Sequence, residues 1–410
     1  MRRFGQADDR YRWLLVGALS ITVTVSYGVL TYAFGVLLPA MRHDLGWSRT
    51  QITGAFSLAL LVSALAGLLV GPLLDRRSPR LLMTGGALAA ALLVVGWSRV
   101  QTLAELYLVF VGLGATMATL LYEPVFIVIT KWFGSSLRAA LTAVTIVGAS
   151  ASLIFSPLTE RLESALGWRA ALLVLAAILG ATALPVHALV LRPSPPVEQT
   201  ARGTPRQVFG DTPFWLFAAA LTVATFASYA IVVHLVSLLI QSGRTAAFAA
   251  FVAGLLGIGQ LPGRLAFGFV AKRFGAVALP AVVFGLGASS LALLAVAREP
   301  WTAIVFALGY GASNGMATLL RATLVADLWG RGSYGAISAA IAAPFNAARA
   351  AAPVSASFLV LLPGHYTTLL WVLSAGTGIA ALVGVIAVRR ARELIATDTR
   401  SVSVRAAGRE

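Results

Sequence analysis

Cysteine is missing from all 410 residues. That excludes disulfides, thiol nucleophiles and thiolate metal sites. Acidic residues are scarce as well, 15 Asp and Glu against 31 Lys and Arg, and charged residues make up only 11% of the chain. A soluble domain carries about 25%. The four histidines, His43, His187, His234 and His365, are scattered without ligand spacing, so no metal is expected. The phosphate-cradling pattern G-x-x-x-x-G-K-[ST] is also absent. With no nucleophile and base set either, neither an enzyme nor a cofactor is expected.

What fills the chain is apolar: 59% of residues are hydrophobic and the mean hydropathy is +0.87. Runs of 20 or more apolar residues without two-residue alternation point to membrane-spanning helices, because a bilayer forces every backbone group to be satisfied within its own segment. Twelve spans are expected, at about 13–39, 50–74, 81–98, 103–130, 139–163, 168–191, 213–241, 246–271, 277–297, 301–328, 334–361 and 367–388. The short polar start, Met1 to Arg12, leads into a first helix too long for a signal peptide. Arg192 to Thr212, with Pro193, Pro195, Pro196, Pro205, Arg202 and Arg206, reads as a linker. The expected domains are therefore 1–191 and 213–410, two six-helix bundles joined by 192–212.

The net charge of +16 does not indicate nucleic acid, because no basic block interleaved with aromatics stands in a soluble segment. An even span count puts both termini on one side. Loops and tails there hold 21 of the 31 Lys and Arg, including Arg2, Arg3, Arg76, Arg77, Arg80, Lys131, Arg138, Arg331 and Arg389. The opposite loops hold 7, among them Arg42, Arg99, Arg169 and Arg298. This asymmetry places the termini and linker in the cytoplasm, with the plasma (inner) membrane as the expected location.

The halves also repeat. Trp132 is matched 197 positions on by Trp329, Gly71 by Gly268, and Gly167-Trp168 by Gly364-His365. Met-Ala-Thr-Leu-Leu occurs at 117–121 and at 316–320. A duplicated six-helix unit is a known plan for transporters.

Three arginines, Arg264, Arg321 and Arg349, fall inside spans, where each costs about 2.5–3.5 kcal/mol on insertion scales. Glu123 is the one carboxylate well inside a span. Low-dielectric surroundings favour the neutral form of a carboxyl, which makes Glu123 the candidate proton carrier. The positive excess favours an anionic ligand.

Gly71-Pro72-Leu73-Leu74-Asp75-Arg76-Arg77-Ser78-Pro79-Arg80 resembles the G-x-x-x-D-R-x-x-x-R loop of the major facilitator superfamily. The resemblance covers the whole chain and implies twelve helices in two pseudo-symmetric bundles. It also implies a cytoplasmic latch in which Asp75 pairs with arginines and a facing helix end, built on Gly71, Asp75, Arg76 and Arg80. The alternative is that these charges are only topological anchors. The second-half equivalent, Gly268 to Gly275, carries Lys272 in place of Asp75.

Within the superfamily the chain is most similar to the monocarboxylate-porter and oxalate–formate branch. That likeness rests on Tyr32-Ala33-Phe34-Gly35-Val36 with Gly46-Trp47-Ser48-Arg49, on Tyr122-Glu123-Pro124 with Lys131-Trp132-Phe133, and on Gly263-Arg264-Leu265 with Gly268. It implies that Arg264 binds a substrate carboxylate, that Gln260 one turn earlier assists, and that Tyr122 offers a hydroxyl. A guanidinium fork offers a carboxylate two parallel donors. Tyr32 and Asn314 are further candidate contacts, Asn314 being equally readable as interhelical glue. Gln260 stands where relatives carry an aspartate and cannot carry a proton.

Glu123 and Arg321 are expected to face each other, as a pair competing with substrate or proton or as a permanent structural ion pair. Arg349 follows Pro344 and Asn346 and precedes Pro353, so it is open to mending a broken helix or contacting the ligand. His234 is a second titratable candidate or a packing residue. The expected function is alternating-access transport of a small carboxylate, with protons as candidate co-substrate, by a monomer whose other partner is the lipid bilayer. The competing reading is an exporter of larger, drug-like compounds.

Overall fold

The computed structural model describes residues 6–134, 136–193, 195, 204–296 and 299–407. Arg2, Arg3, Arg202, Arg298 and Arg409, counted above for orientation, and Pro196 of the linker lie outside them. Every regular element among the described residues is helical. Span 1 is α1 (Gln6–Tyr27), a π segment (Gly28–Tyr32) and α2 (Ala33–Leu45). α3 (Arg49–Arg76), α4 (Pro79–Trp97), α5 (Leu103–Leu120) and α6 (Tyr122–Trp132) follow, then α7 (Leu137–Ala149), α8 (Ala151–Leu166) and α9 (Trp168–Val190). After the linker come the short α10 (Pro205–Gly210), α11 (Thr212–Gln241) and α12 (Ala246–Val296). The chain ends with α13 (Pro300–Trp329), α14 (Tyr334–Val360) and α15 (His365–Ala407).

Local chemistry sets the ends. Ser48 with Gln51 and Thr102 with Glu105 form reciprocal capping boxes that start α3 and α5. Gly46, at φ 68°, stops α2. Ten helices among the described residues are long and apolar enough to cross a bilayer. One of these, Ala247–Val296, is 50 residues long, or about 75 Å at 1.5 Å per residue, against a hydrocarbon core of about 30 Å. It holds two spans joined at Gly275, whose φ of 71° and ψ of 168° are not helical. α14 is outside the ten. The protein is a multi-pass, all-helical membrane protein.

The chain forms two compact units, Met1–Glu198 with Arg331–Asn346, and Gln199–Gly330 with Ala347–Glu410. The first half of α14 therefore belongs with the first unit, which the linker's composition does not reveal. The first unit's core holds a cluster of rings, with Phe34 stacked on Phe56 at 4.5 Å and Trp97 edge-on to Phe110 at 5.0 Å. A clasp ties three segments of this unit together. Asp44 accepts from the Trp168 indole at 3.0 Å and from Arg169, whose Nη2 also donates to the Val100 carbonyl at 3.1 Å.

The second unit's core runs from Ile231 and Leu235 to Phe306 and Tyr310. Each unit seats a tryptophan from the repeat against an aromatic of its own first span. Trp132 meets Tyr11 at 4.7 Å, and Trp329 meets Phe214 at 5.5 Å.

α12 and α13 interlock through glycine. A Cβ on Gly263 would fall on the backbone carbonyl of Ala312, and one on Gly315 on the carbonyl of Gln260. Both helices are backbone-to-backbone there, so neither neighbour can yield. Gly263→Ala is expected to lower the thermal unfolding midpoint in detergent, by the equivalent of about 1–3 kcal/mol for overpacking. Gly254→Ala, where a Cβ meets open space, should leave the midpoint within a degree or two.

Candidate anion site and cytoplasmic latch

The interlocked pair carries the candidate residues Gln260, Arg264, Asn314 and Arg321. Arg264 is 5% exposed, and its Nη2 donates to Gln260 Oε1 at 3.0 Å, one turn back on α12. Asn314, half-buried on α13, adjoins Gly315, against which the Gln260 backbone lies. Arg321, further along α13, is 6% exposed. Both buried arginines thus stand on helices that meet backbone to backbone at Gly263 and Gly315.

In the first unit, three spans are interrupted. Span 1 contains the π segment, span 4 breaks at Leu121 (φ −82°, ψ −162°) and span 5 breaks at Ser150. Pro124 explains the second break, since it has no N–H for the carbonyl of Leu120 and its ring crowds that carbonyl. Tyr122 and Glu123 open the new helix and are half-buried. The Tyr122 ring packs on Tyr27 at 4.8 Å and on Phe126 at 5.2 Å, and its hydroxyl donates to the Thr145 carbonyl at 3.4 Å. Tyr32 closes the π segment and is 37% exposed. Irregular backbone at membrane depth is tolerated only against protein or a cavity, and discontinuous helices mark binding sites in transporters.

Of the pairing the motif suggests for Asp75, the facing helix end is present and the arginines are not. Asp75 accepts backbone N–H bonds from Gly335 at 3.0 Å and Ala336 at 2.9 Å, in the first turn of α14. A carboxylate there meets unsatisfied donors and the positive end of the helix dipole. Its cation is Lys131, 3.7 Å away, and the two side chains are 7% and 6% exposed. Lys131 also donates to the carbonyls of Leu74 at 2.6 Å and Asp75 at 2.9 Å. Arg76 and Arg80 are exposed and make no ion pair with Asp75 among the described residues. Arg331 adds a bond to the Phe133 carbonyl at 2.8 Å. Gly71 and Gly335 each lack the Cβ that would strike the other's carbonyl.

His234 on α11 is half-buried, with Nε2 3.4 Å from Ser357 Oγ on α14 and its ring 6.1 Å from Tyr366. Arg349 stacks on Tyr229, 4.5 Å from guanidinium carbon to ring centroid. Sequence reasoning used Lys131 for orientation and for the branch likeness without giving it a partner, and did not single out Tyr229. Their partners are 56 and 120 positions away, and no local pattern spans that distance.

A family model described as Major Facilitator Superfamily matches residues 19–353. Monocarboxylate transporter 13 of Rattus norvegicus is 29% identical over 333 residues, covering 79% of this chain and 77% of that protein. Monocarboxylate transporter 11 of Mus musculus is 28% identical over 329 residues, covering 76% and 72%. Among solved structures, the major facilitator transporter FucP in the outward conformation aligns with a TM-score of 0.71 at 14% identity. That alignment covers 93% of this chain and 99% of that one, and speaks for the fold alone. Because the family match runs over most of its length, the chain belongs to the major facilitator superfamily and is a transporter, not an enzyme.

Proposed function

We infer that this transporter is a secondary carrier of a small carboxylate, working by alternating access between two six-helix halves, with Glu123 carrying a coupled proton. The supporting observation is Arg264, a guanidinium held inside a span by Gln260 with its helix locked against α13. Such a cation favours an anion, and a carboxylate matches its fork. The likeness to proteins named monocarboxylate transporters supports the same substrate class.

Arg264 and Gln260 serve as the carboxylate clamp in this reading. Tyr122, Asn314, Tyr32 and Arg321 are further contacts, and His234 is a second titratable group. The Gly71–Arg80 loop is the latch, with Lys131 taking the cationic part first assigned to Arg76 and Arg80. The distribution of basic residues supports a plasma-membrane protein with cytoplasmic termini.

The test is uptake by proteoliposomes of labelled lactate, pyruvate, succinate and a neutral sugar, with and without an inward proton gradient. Uptake of a carboxylate accelerated by the gradient is expected. Glu123→Gln should retain carboxylate exchange while losing most of the gradient's acceleration. Transport of the sugar alone would end the carboxylate reading, and an unchanged gradient response in Glu123→Gln would remove Glu123 from coupling.

A further inference from the structure

Where α1 begins and α9 ends, the first unit carries a corner that the transport reading leaves unused. The Tyr11 hydroxyl donates to the Val190 carbonyl at 2.9 Å, which ties the start of α1 to the last turn of α9. The Tyr11 ring is also held edge-on against Trp132 at 4.7 Å. On this anchored ring lies the Arg192 guanidinium, 4.4 Å from its central carbon to the ring centroid. Arg192 is exposed, and its guanidinium makes no hydrogen bond or ion pair to any described residue. Tyr11 covers one face, so the in-plane N–H groups remain for an incoming acceptor.

A second arginine stands at the same level. α4 and α9 run antiparallel, since Gly180 faces Ala91 and the His187 ring meets the Met83 carbonyl at 3.2 Å. Arg80 lies three residues before Met83, and Val190 three after His187. At about 1.5 Å per residue, both steps end at one depth, beside Arg192. Arg80 is exposed, and its side chain has no partner among the described residues. Asp75 and Asp9, the acids close in sequence, are engaged by Lys131 and Arg12. This depth is the edge of the membrane. Leu81 and Leu189, neighbours of the two arginines, are 83% and 77% exposed, as side chains facing lipid are. Trp13, packed on Phe133, supplies the amphipathic ring that favours such a boundary.

We propose that Arg192, held on Tyr11, and Arg80 form a binding site for the headgroup of an anionic phospholipid, separate from the transport site. Two unpaired guanidiniums beside lipid-facing leucines match a headgroup phosphate with acyl chains beneath it. Arg192 takes the phosphate oxygens with two parallel donors, and Arg80 adds charge. The site is independent of what the protein carries.

The experiment is native mass spectrometry of the full chain in neutral detergent, titrated with phosphatidylglycerol or phosphatidylcholine. The parent should hold its first phosphatidylglycerol well above phosphatidylcholine. Arg192→Gln and Arg80→Gln should each weaken that binding about fivefold, the worth of one basic residue at a membrane surface. The double variant should bind both lipids alike. Tyr11→Leu should weaken binding severalfold without changing the net charge. Arg273→Gln, which removes one exposed charge at the end of span 8, should leave the preference intact, and excess inorganic phosphate should not displace the lipid. Both arginines are exposed, so thermal midpoints should hold. If Arg192→Gln unfolds, Arg192→Lys replaces it and should still lose affinity, because an ammonium lacks the fork.

Equal binding of the two lipids by the parent would overturn the proposal. So would an unchanged preference in the double variant or in Tyr11→Leu, an equal loss in Arg273→Gln, or displacement by phosphate. None of these outcomes bears on the carboxylate reading.

Discussion

Arg264→Gln should sharply weaken carboxylate binding. Truncating one partner of a buried, hydrogen-bonded charge pair costs about 2–5 kcal/mol. At about 1.4 kcal/mol per tenfold, affinity should fall by roughly 30-fold to several thousandfold. Arg264→Lys should fall near the lower end, since an ammonium supplies the charge without the fork. Gln260→Leu removes the Oε1 that holds Nη2 at 3.0 Å. Its expected cost is about tenfold, the low end for a hydrogen bond to a charged group at about 1.5 kcal/mol. Binding that falls while the unfolding midpoint holds separates a ligand role from a structural one. If Arg264→Gln binds labelled lactate as the parent does, the clamp is elsewhere.

Asp75→Ala should have the second large effect, on conformation instead of affinity. The carboxylate joins Gly335 and Ala336 to Lys131 in one nearly dry cluster. Its removal leaves two helix-end donors and a buried ammonium without their anion. Breaking one side of such a pair costs about 3–5 kcal/mol, enough to move a two-state equilibrium by more than a hundredfold. The absence of cysteine makes this measurable without background. A single cysteine at Ser338, on α14 and buried, should react slowly with a membrane-impermeant maleimide in the parent. The same cysteine should react at least tenfold faster in Asp75→Ala, with the reagent on the linker side of the membrane. Lys131→Met should accelerate labelling in the same direction, whereas Arg76→Gln and Arg80→Gln should not. Equal rates in all four would make the loop a topological anchor.

The span pattern was legible because hydropathy and length dictate which segments can enter lipid. The ends were less so. α15 continues from the expected end near 388 to Ala407, since 389–407 contains neither Gly nor Pro and Arg389 pairs with Glu393 at 3.0 Å. The joint between spans 8 and 9 shrank to Gly275, because a single left-handed residue redirects the chain without a loop. The Arg264–Gln260 contact could be read from i, i+4 spacing, and the break in span 4 had a local signal in Pro124. The interruption in span 5 had none. The pairing of Asp75 with Lys131 and the stacking of Arg349 on Tyr229 arise only when distant helices pack, so motif reading assigned the wrong cations to one and left the other open.

The π segment in span 1 has a consequence for how the span's two ends address their neighbours. One residue more than an α turn holds is a step of about 100° around the helix axis. Span 1 therefore carries two apolar stripes out of phase, meeting at residues 28–32. Before the shift Tyr27 reaches Tyr122, and after it Phe34 reaches Phe56. An uninterrupted helix would offer a single stripe. The extra residue thus lets one helix answer to two neighbours, and it places the change of phase beside the broken start of α6.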